Sequence, residues 1–163
     1  MSVDAETLRH AMRQWASGVS IVTARYAETQ HGMTVNSFIS ISLEPPRVLV
    51  SLERGRFTHE LVEHSGYFGV SVLSDQQKEI SERFAGRVSE TGDRFAGLAT
   101  FQLVSQTPLL SEALAVFDCR VVEAHPVGTH TLFIGEVLAI QSQEGGLPLL
   151  YFNQAYRKVE DGG

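Results

Sequence analysis

Four groups of residues carry the chemistry available to this chain of 163 residues. From Thr34 to Leu43, small polar residues (Thr34, Asn36, Ser40, Ser42) alternate with apolar ones (Val35, Ile39, Ile41, Leu43). Strict alternation is the period of a strand with one buried face. A row of small hydroxyl and amide groups leaves room for a flat polar molecule close to the backbone; the alternative is a row that simply faces water. Arg54-Gly55-Arg56-Phe57-Thr58 precedes a helical pattern, where arginine charge, a threonine hydroxyl and free backbone N–H groups can converge on an anion. The same run also reads as a helix cap with solvated arginines. Phe84-Ala85-Gly86-Arg87 ends another helical pattern with an aromatic ring, a flexible glycine and a positive charge, or is an ordinary stop with Phe84 in the core. His130 heads a strand after a turn, a position equally suited to a surface residue.

The common catalytic patterns are absent. There is no Gly-x-Gly-x-x-Gly after a strand, no Gly-x-x-x-x-Gly-Lys-Ser/Thr loop and no Gly-x-Ser-x-Gly. His59 and His64, like His125 and His130, stand five residues apart, which puts two side chains on different faces of a helix. With no cysteine pair to support them, no metal site is expected. The single cysteine, Cys119, excludes an intrachain disulfide and lies in the apolar-rich run Ala115-Val-Phe-Asp-Cys-Arg-Val-Val122, as a buried structural thiol would. The net charge of −6 and the lack of a basic run argue against nucleic-acid binding, although a few local arginines suffice for a phosphorylated ligand. No apolar stretch approaches the ~20 residues of a membrane span. Residues 1–17 carry charges and no apolar core of a signal peptide, so a cytoplasmic protein is expected.

The elements that must position these groups follow from periodicity. Leu8, Ala11, Met12 and Trp15 fall on one helical face, opened by Asp4 and closed by Gly18. Strands are expected over 19–26, 34–43 (stopped by Pro45-Pro46), 47–53, 67–73, 100–105, 114–123 and 130–141. Helices are expected over 57–64 and 74–84, the second started by a Ser74-x-x-Gln77 capping box and ended by Gly86. Residues 87–99 read as a polar loop. Length and composition fit a single domain over residues 1–163. Six or seven strands joined mostly by short turns, without regular βα alternation, predict a mainly β (α+β), mostly antiparallel small barrel with about three peripheral helices.

Gly18-Val-Ser-Ile-Val-Thr-Ala24, Gly32-Met-Thr-Val-Asn-Ser-Phe38, Ser42-Leu-Glu-Pro-Pro46 with Val48-Leu-Val-Ser-Leu52, and Gly128-Thr-His-Thr-Leu-Phe-Ile-Gly-Glu-Val137 occur in this order. Together they resemble the short-chain flavin reductases, the small components of two-component flavin-dependent monooxygenases, over residues 8–156. The resemblance implies a split β-barrel homodimer that passes hydride from NADH or NADPH to FMN or FAD and delivers reduced flavin to a partner oxygenase. It implies that Met33, Thr34, Val35, Asn36 and Ser37 line the isoalloxazine and ribityl chain and that Ser51 and Leu52 border the ring. Arg56, Phe57 and Thr58 are then expected to hold the phosphate end, and Phe84, Ala85 and Gly86 to approach the phosphates or an adenylate half. His130 corresponds to a catalytic histidine near the nicotinamide, and Tyr156 helps hold the pyridine nucleotide. Two departures stand out: the turn before His130 reads Gly-Thr-His where many relatives have Gly-Asp-His, and the segment 54–58 lacks an asparagine common there. A flavin carrier or sensor without turnover and a pyridoxamine-phosphate-oxidase-like flavoenzyme are the competing readings.

Overall fold

The computed structural model describes residues 2–87 and 92–160. A short helix α1 (Ala5–Met12), N-capped by the Asp4 carboxylate on the Thr7 amide at 2.7 Å, leads into β1 (Ser17–Gly18) and β2 (Ser20–Tyr26). The chain continues through β3 (Thr29–Val35), β4 (Ile39–Leu43), β5 (Pro46–Glu53), α2 (Phe57–Ser65) and β6 (Tyr67–Val72). Then follow α3 (Lys78–Phe84), β7 (Thr100–Phe101), β8 (Leu109–Leu110), the long hairpin β9 (Ala115–Val127) and β10 (His130–Ser142), and the tail strands β11 (Leu150–Phe152) and β12 (Ala155–Arg157).

Seven strands form one antiparallel sheet in the order β3-β2-β6-β9-β10-β5-β4. β3 and β4 are its two edges although they are consecutive in the chain, so the barrel stays split between them. β1, β11 and β12 form a separate three-stranded sheet, and β7 pairs with β8. Core packing follows strand period. Val22 and Ala24 of β2 join Val50, Leu52, Phe68 and Phe133 in one buried cluster. Ile21, on the opposite face, joins Leu73, Phe84, Leu109 and Leu149 in a second, beneath α3 and the tail sheet. β2 is therefore buried on both faces, as its Ser-Ile-Val-Thr-Ala sequence allows. Close packing demands glycine at Gly135, where a Cβ would stand 2.6 Å from the Phe68 ring.

The expected strand over 34–43 is two strands. Backbone pairing passes from β2 to β5 across Asn36, Ser37 and Phe38, and the Ser37 hydroxyl fastens the corner by donating to the Ser51 carbonyl (3.0 Å) and accepting from its amide (3.1 Å). The expected burial of its apolar row is also reversed. Ile39, Ile41 and Leu43 are exposed, Leu43 to 88%, because β4 is an edge strand with none of the described elements packed over that face. The apolar face of α1 behaves likewise: the helix ends at Met12, and Leu8, Met12 and Trp15 are all exposed. Three smaller differences are local. The Gln77 side chain does reach back to the Ser74 amide (2.9 Å), but Ser74 is bridged to Pro148, so 74–77 is a turn and α3 starts at Lys78. The 100–105 strand shortens to β7 because the next residues wrap around Asp118, whose buried carboxylate accepts from the Val104 and Ser105 amides and the Ser105 hydroxyl. Of the expected 87–99 loop, residues 88–91 lie outside the described residues, and 92–99 contain no strand or regular helix. Cys119 is buried as expected; burial, with the neighbouring Asp118 charge, pushes its thiol up to about 12.

Candidate functional site

Two clefts open on either side of a ridge made by Thr34 and Ala85, which border both. The first, about 500 Å³, lies against the start of α2 and is walled by His31, Met33, Arg56, Thr58, Phe84 and Arg94. Thr58 is buried and its hydroxyl meets His31 Nδ1 at 2.8 Å. Arg56 occupies the N-cap of α2 and makes no side-chain cap bond, since a guanidinium cannot accept; it donates instead to Glu53 Oε2 at 2.8 Å. The first-turn amides and positive dipole end of α2 are thus presented to an anion. Arg94 Nη1 donates to the carbonyls of Gly32 (2.9 Å) and Phe84 (3.0 Å), clamping β3 to the end of α3.

The second cleft, about 170 Å³, lies on the tail side between Val35, Asn36, Ser81, Arg87, Tyr151 and Tyr156. The Thr34 hydroxyl donates to the Ser81 carbonyl (2.6 Å), and the buried Ser81 hydroxyl meets the Tyr156 hydroxyl at 2.7 Å, so β3, α3 and β12 are pinned together at one point. Tyr151 stacks edge-on against Tyr156 with centroids 5.5 Å apart. Arg87 lies with its guanidinium carbon 5.9 Å from the Tyr156 ring centre, and the neighbouring Tyr151 and Tyr156 side chains raise its pKa further above the ordinary guanidinium value.

The structure brings most of the sequence-predicted residues to these clefts. Met33, Arg56, Phe57, Thr58 and Phe84 wall the α2 side; Val35, Asn36 and Tyr156 wall the tail side; Thr34 and Ala85 serve both. Five of the expected residues, Ser37, Ser51, Leu52, Gly86 and His130, line neither cleft. Leu52 is wholly buried in the barrel core and borders neither cleft, because it alternates with Ser51 and Glu53 along β5 and takes the inward direction. The Ser37 hydroxyl is committed to the Ser51 backbone rather than turned to a cleft, and those two residues form the corner behind the ridge. His130 is exposed, bonds Thr129 Oγ1 through Nδ1 at 2.9 Å, and borders neither cleft. Its register partner is Glu53, which does wall the α2-side cleft, so His130 stands one strand out from that cleft, on the same sheet face. Gly86 ends α3 at φ +71°, a left-handed turn that lets the chain carry Arg87 back toward the tail. Phe84 is 99% buried, stacks edge-on with Phe95 and shows the cleft only an edge.

His31, Ser81, Arg94 and Tyr151 were not singled out by sequence, nor Arg87 beyond its charge. Their partners are carbonyls or rings far along the chain, 62 residues away for Arg94 and Gly32, and no local pattern announces such a contact.

The clefts are lined by arginines and hydroxyls, with His31 and Glu53 on the α2 side, and no group of three metal-ligating side chains occurs among the described residues. This lining suits a planar, phosphate-bearing group: a strand-end wall of Thr34, Val35 and Asn36 for the ring system and Arg56, Thr58 and the start of α2 for the phosphate. A split antiparallel barrel with two cation-bearing clefts on a common ridge has the features of a protein that binds phosphate-bearing cofactors.

Residues 12–160 match the flavin reductase like domain. The chain is 41% identical over 159 residues to an NADH-dependent flavin reductase, StyB, of Pseudomonas fluorescens, covering 96% of this chain and 91% of that one. It is 36% identical over 154 residues to the reductase component of 4-hydroxyphenylacetate 3-monooxygenase of Thermus thermophilus, covering 94% and 96%. Its structure superposes on the styrene monooxygenase flavin reductase of Pseudomonas putida S12 with a TM-score of 0.83 at 40% identity, over 94% of this chain and 97% of that one. The chain belongs to the flavin reductase-like family, as its four sequence motifs indicated.

Proposed function

We propose that the protein is an NAD(P)H:flavin oxidoreductase that supplies reduced FMN or FAD to a separate monooxygenase. The observation that carries this reading is the pair of clefts sharing the Thr34–Ala85 ridge, so that groups lodged in the two clefts lie on either side of one line of contact. A bound flavin would supply the hydride-accepting chemistry, so that the residues of the site need only bind and orient. The chain's own residues bind and orient: Arg56, Thr58 and the α2 amides hold the flavin phosphate, while Thr34, Val35 and Asn36 set the ring plane. Ser81 and Tyr156 fix the tail against that plane. The names of the similar proteins support the oxygenase partner. A homodimer is supported by the exposed apolar residues of β4 and α1, Ile39, Ile41 and Leu43 on the strand and Leu8 and Met12 on the helix. No described helix is long and apolar enough to cross a membrane, in keeping with a cytoplasmic enzyme.

Steady-state oxidation of NADH and NADPH with added FMN or FAD tests the reading. Turnover well above that of free flavin is expected. A rate no faster than free flavin for every pair refutes it and favours a flavin carrier; oxidation of pyridoxamine phosphate instead points to the other flavoenzyme class.

A further inference from the structure

Arg87 is an exposed arginine at the end of α3, yet its guanidinium is held in place. The Tyr156 ring lies beneath it at 5.9 Å, Tyr151 lines the same cleft, and its own amide donates to the Glu82 carbonyl at 3.1 Å. Tyr156 is itself pinned by the buried Ser81 hydroxyl, so the platform under Arg87 is rigid. Lys78 approaches the same ring at 5.8 Å and pairs with Glu82 at 4.0 Å. Two cations therefore approach one aromatic ring in a protein whose net charge is −6. An arginine stacked on an aromatic face with donors left over is a preformed anion anchor, because little side-chain freedom remains to be lost on binding.

The location says which anion. The flavin phosphate has its own cations and helix terminus on the α2 side, whereas Arg87 lies across the ridge in the tail-side cleft. From these positions, and resting on the reductase reading, we propose that Arg87 binds the diphosphate of the pyridine dinucleotide and sets its affinity, with Tyr156 and Tyr151 as positioning residues. The nicotinamide then faces the flavin ring held at the Thr34–Asn36 wall, and its diphosphate reaches the cleft rim where Arg87 stands.

The experiment uses the flavin-loaded enzyme. Arg87→Gln is expected to raise the KM for NADH about tenfold with kcat within about twofold, since a contact equal in ground and transition states alters binding alone. Flavin affinity, read by fluorescence quenching, stays unchanged, and Arg87→Lys recovers part of the loss. ADP, which carries a diphosphate without nicotinamide, is expected to compete with NADH and to bind about tenfold more weakly to Arg87→Gln by calorimetry. An unchanged KM, or a loss that appears in flavin affinity instead, overturns the assignment. If the wild-type protein proves not to oxidise NADH, the reductase reading fails separately; calorimetry still decides Arg87, and ADP binding that is absent or independent of it overturns the proposal.

Discussion

Replacing Gly32 by alanine tests the packing that holds the two clefts together. A Cβ at Gly32 would stand 2.8 Å from Phe84 Cε1, 2.9 Å from Cδ1 and 3.1 Å from the Thr23 methyl. Ordinary contact begins near 3.4 Å, so the ring must withdraw by 3.4 − 2.8 = 0.6 Å. It has little room to do so, being wholly buried with Phe95 edge-on at 5.2 Å. Overpacking of this kind costs about 1–3 kcal/mol. At about 2–4 °C per kcal/mol for a domain near this size, the Tm falls by about 2–12 °C. Because Ala85 follows Phe84 and Arg94 ties Gly32 to Phe84, flavin affinity falls as well. The assay is thermal unfolding by circular dichroism at fixed protein concentration, with flavin titrations by fluorescence quenching. Gly32→Ala combined with Phe84→Leu isolates the cause: relieving the clash makes the double variant lose less than the two single losses added. An unchanged Tm for Gly32→Ala, or strict additivity in the double variant, refutes the reasoning.

Asp118→Asn removes the charge from a carboxylate that organises residues 104 and 105 through three hydrogen bonds of 2.6–2.8 Å. The urea midpoint should fall by the equivalent of about 2 kcal/mol or more with an unchanged m-value, and an unaltered midpoint refutes the role. Cys119 should resist thiol reagents in the native state at pH 8 and react on unfolding. Its folded pKa is raised, to about 12, so its contribution to stability is complete below the unfolded value of 9.0 and is lost as pH rises from there toward 12. Cys119→Ala should flatten that alkaline decline; an identical pH profile counts against it. Finally, Ile41→Lys with Leu43→Lys should convert a dimer into monomers in sedimentation velocity, and an undisturbed dimer shows that the β4 face is not the interface.

Local pattern made much of this protein legible. The α2 helix, with Gly66 in a left-handed cap at φ +75°, the buried β2 strand and the sheet partners β5, β6, β9 and β10 all follow from apolar periodicity and turn residues. Those signals act over a few residues, and the chain obeys them where burial and propensity agree. Four ordered motifs carried the family and, with it, the split barrel. The run from Thr34 to Leu43 shows where that legibility stops. Its alternation is real, but the chain changes partner strand at Asn36–Phe38, so the polar residues before the corner reach the clefts and the apolar ones after it face outward from an edge.

By itself, then, the sequence determined a mostly antiparallel barrel and an arginine-bearing helix start at 54–58, while the wall at 33–37 was an expectation from the family resemblance. Tertiary structure alone decided that Leu52 turns inward, that His130 stands outside the cleft linings, and that Arg87 meets Tyr151 and Tyr156 from the far end of the chain. The reason is physical: side-chain period and capping are settled within one turn or pleat, whereas a cleft exists only after distant segments pack and leave space between them.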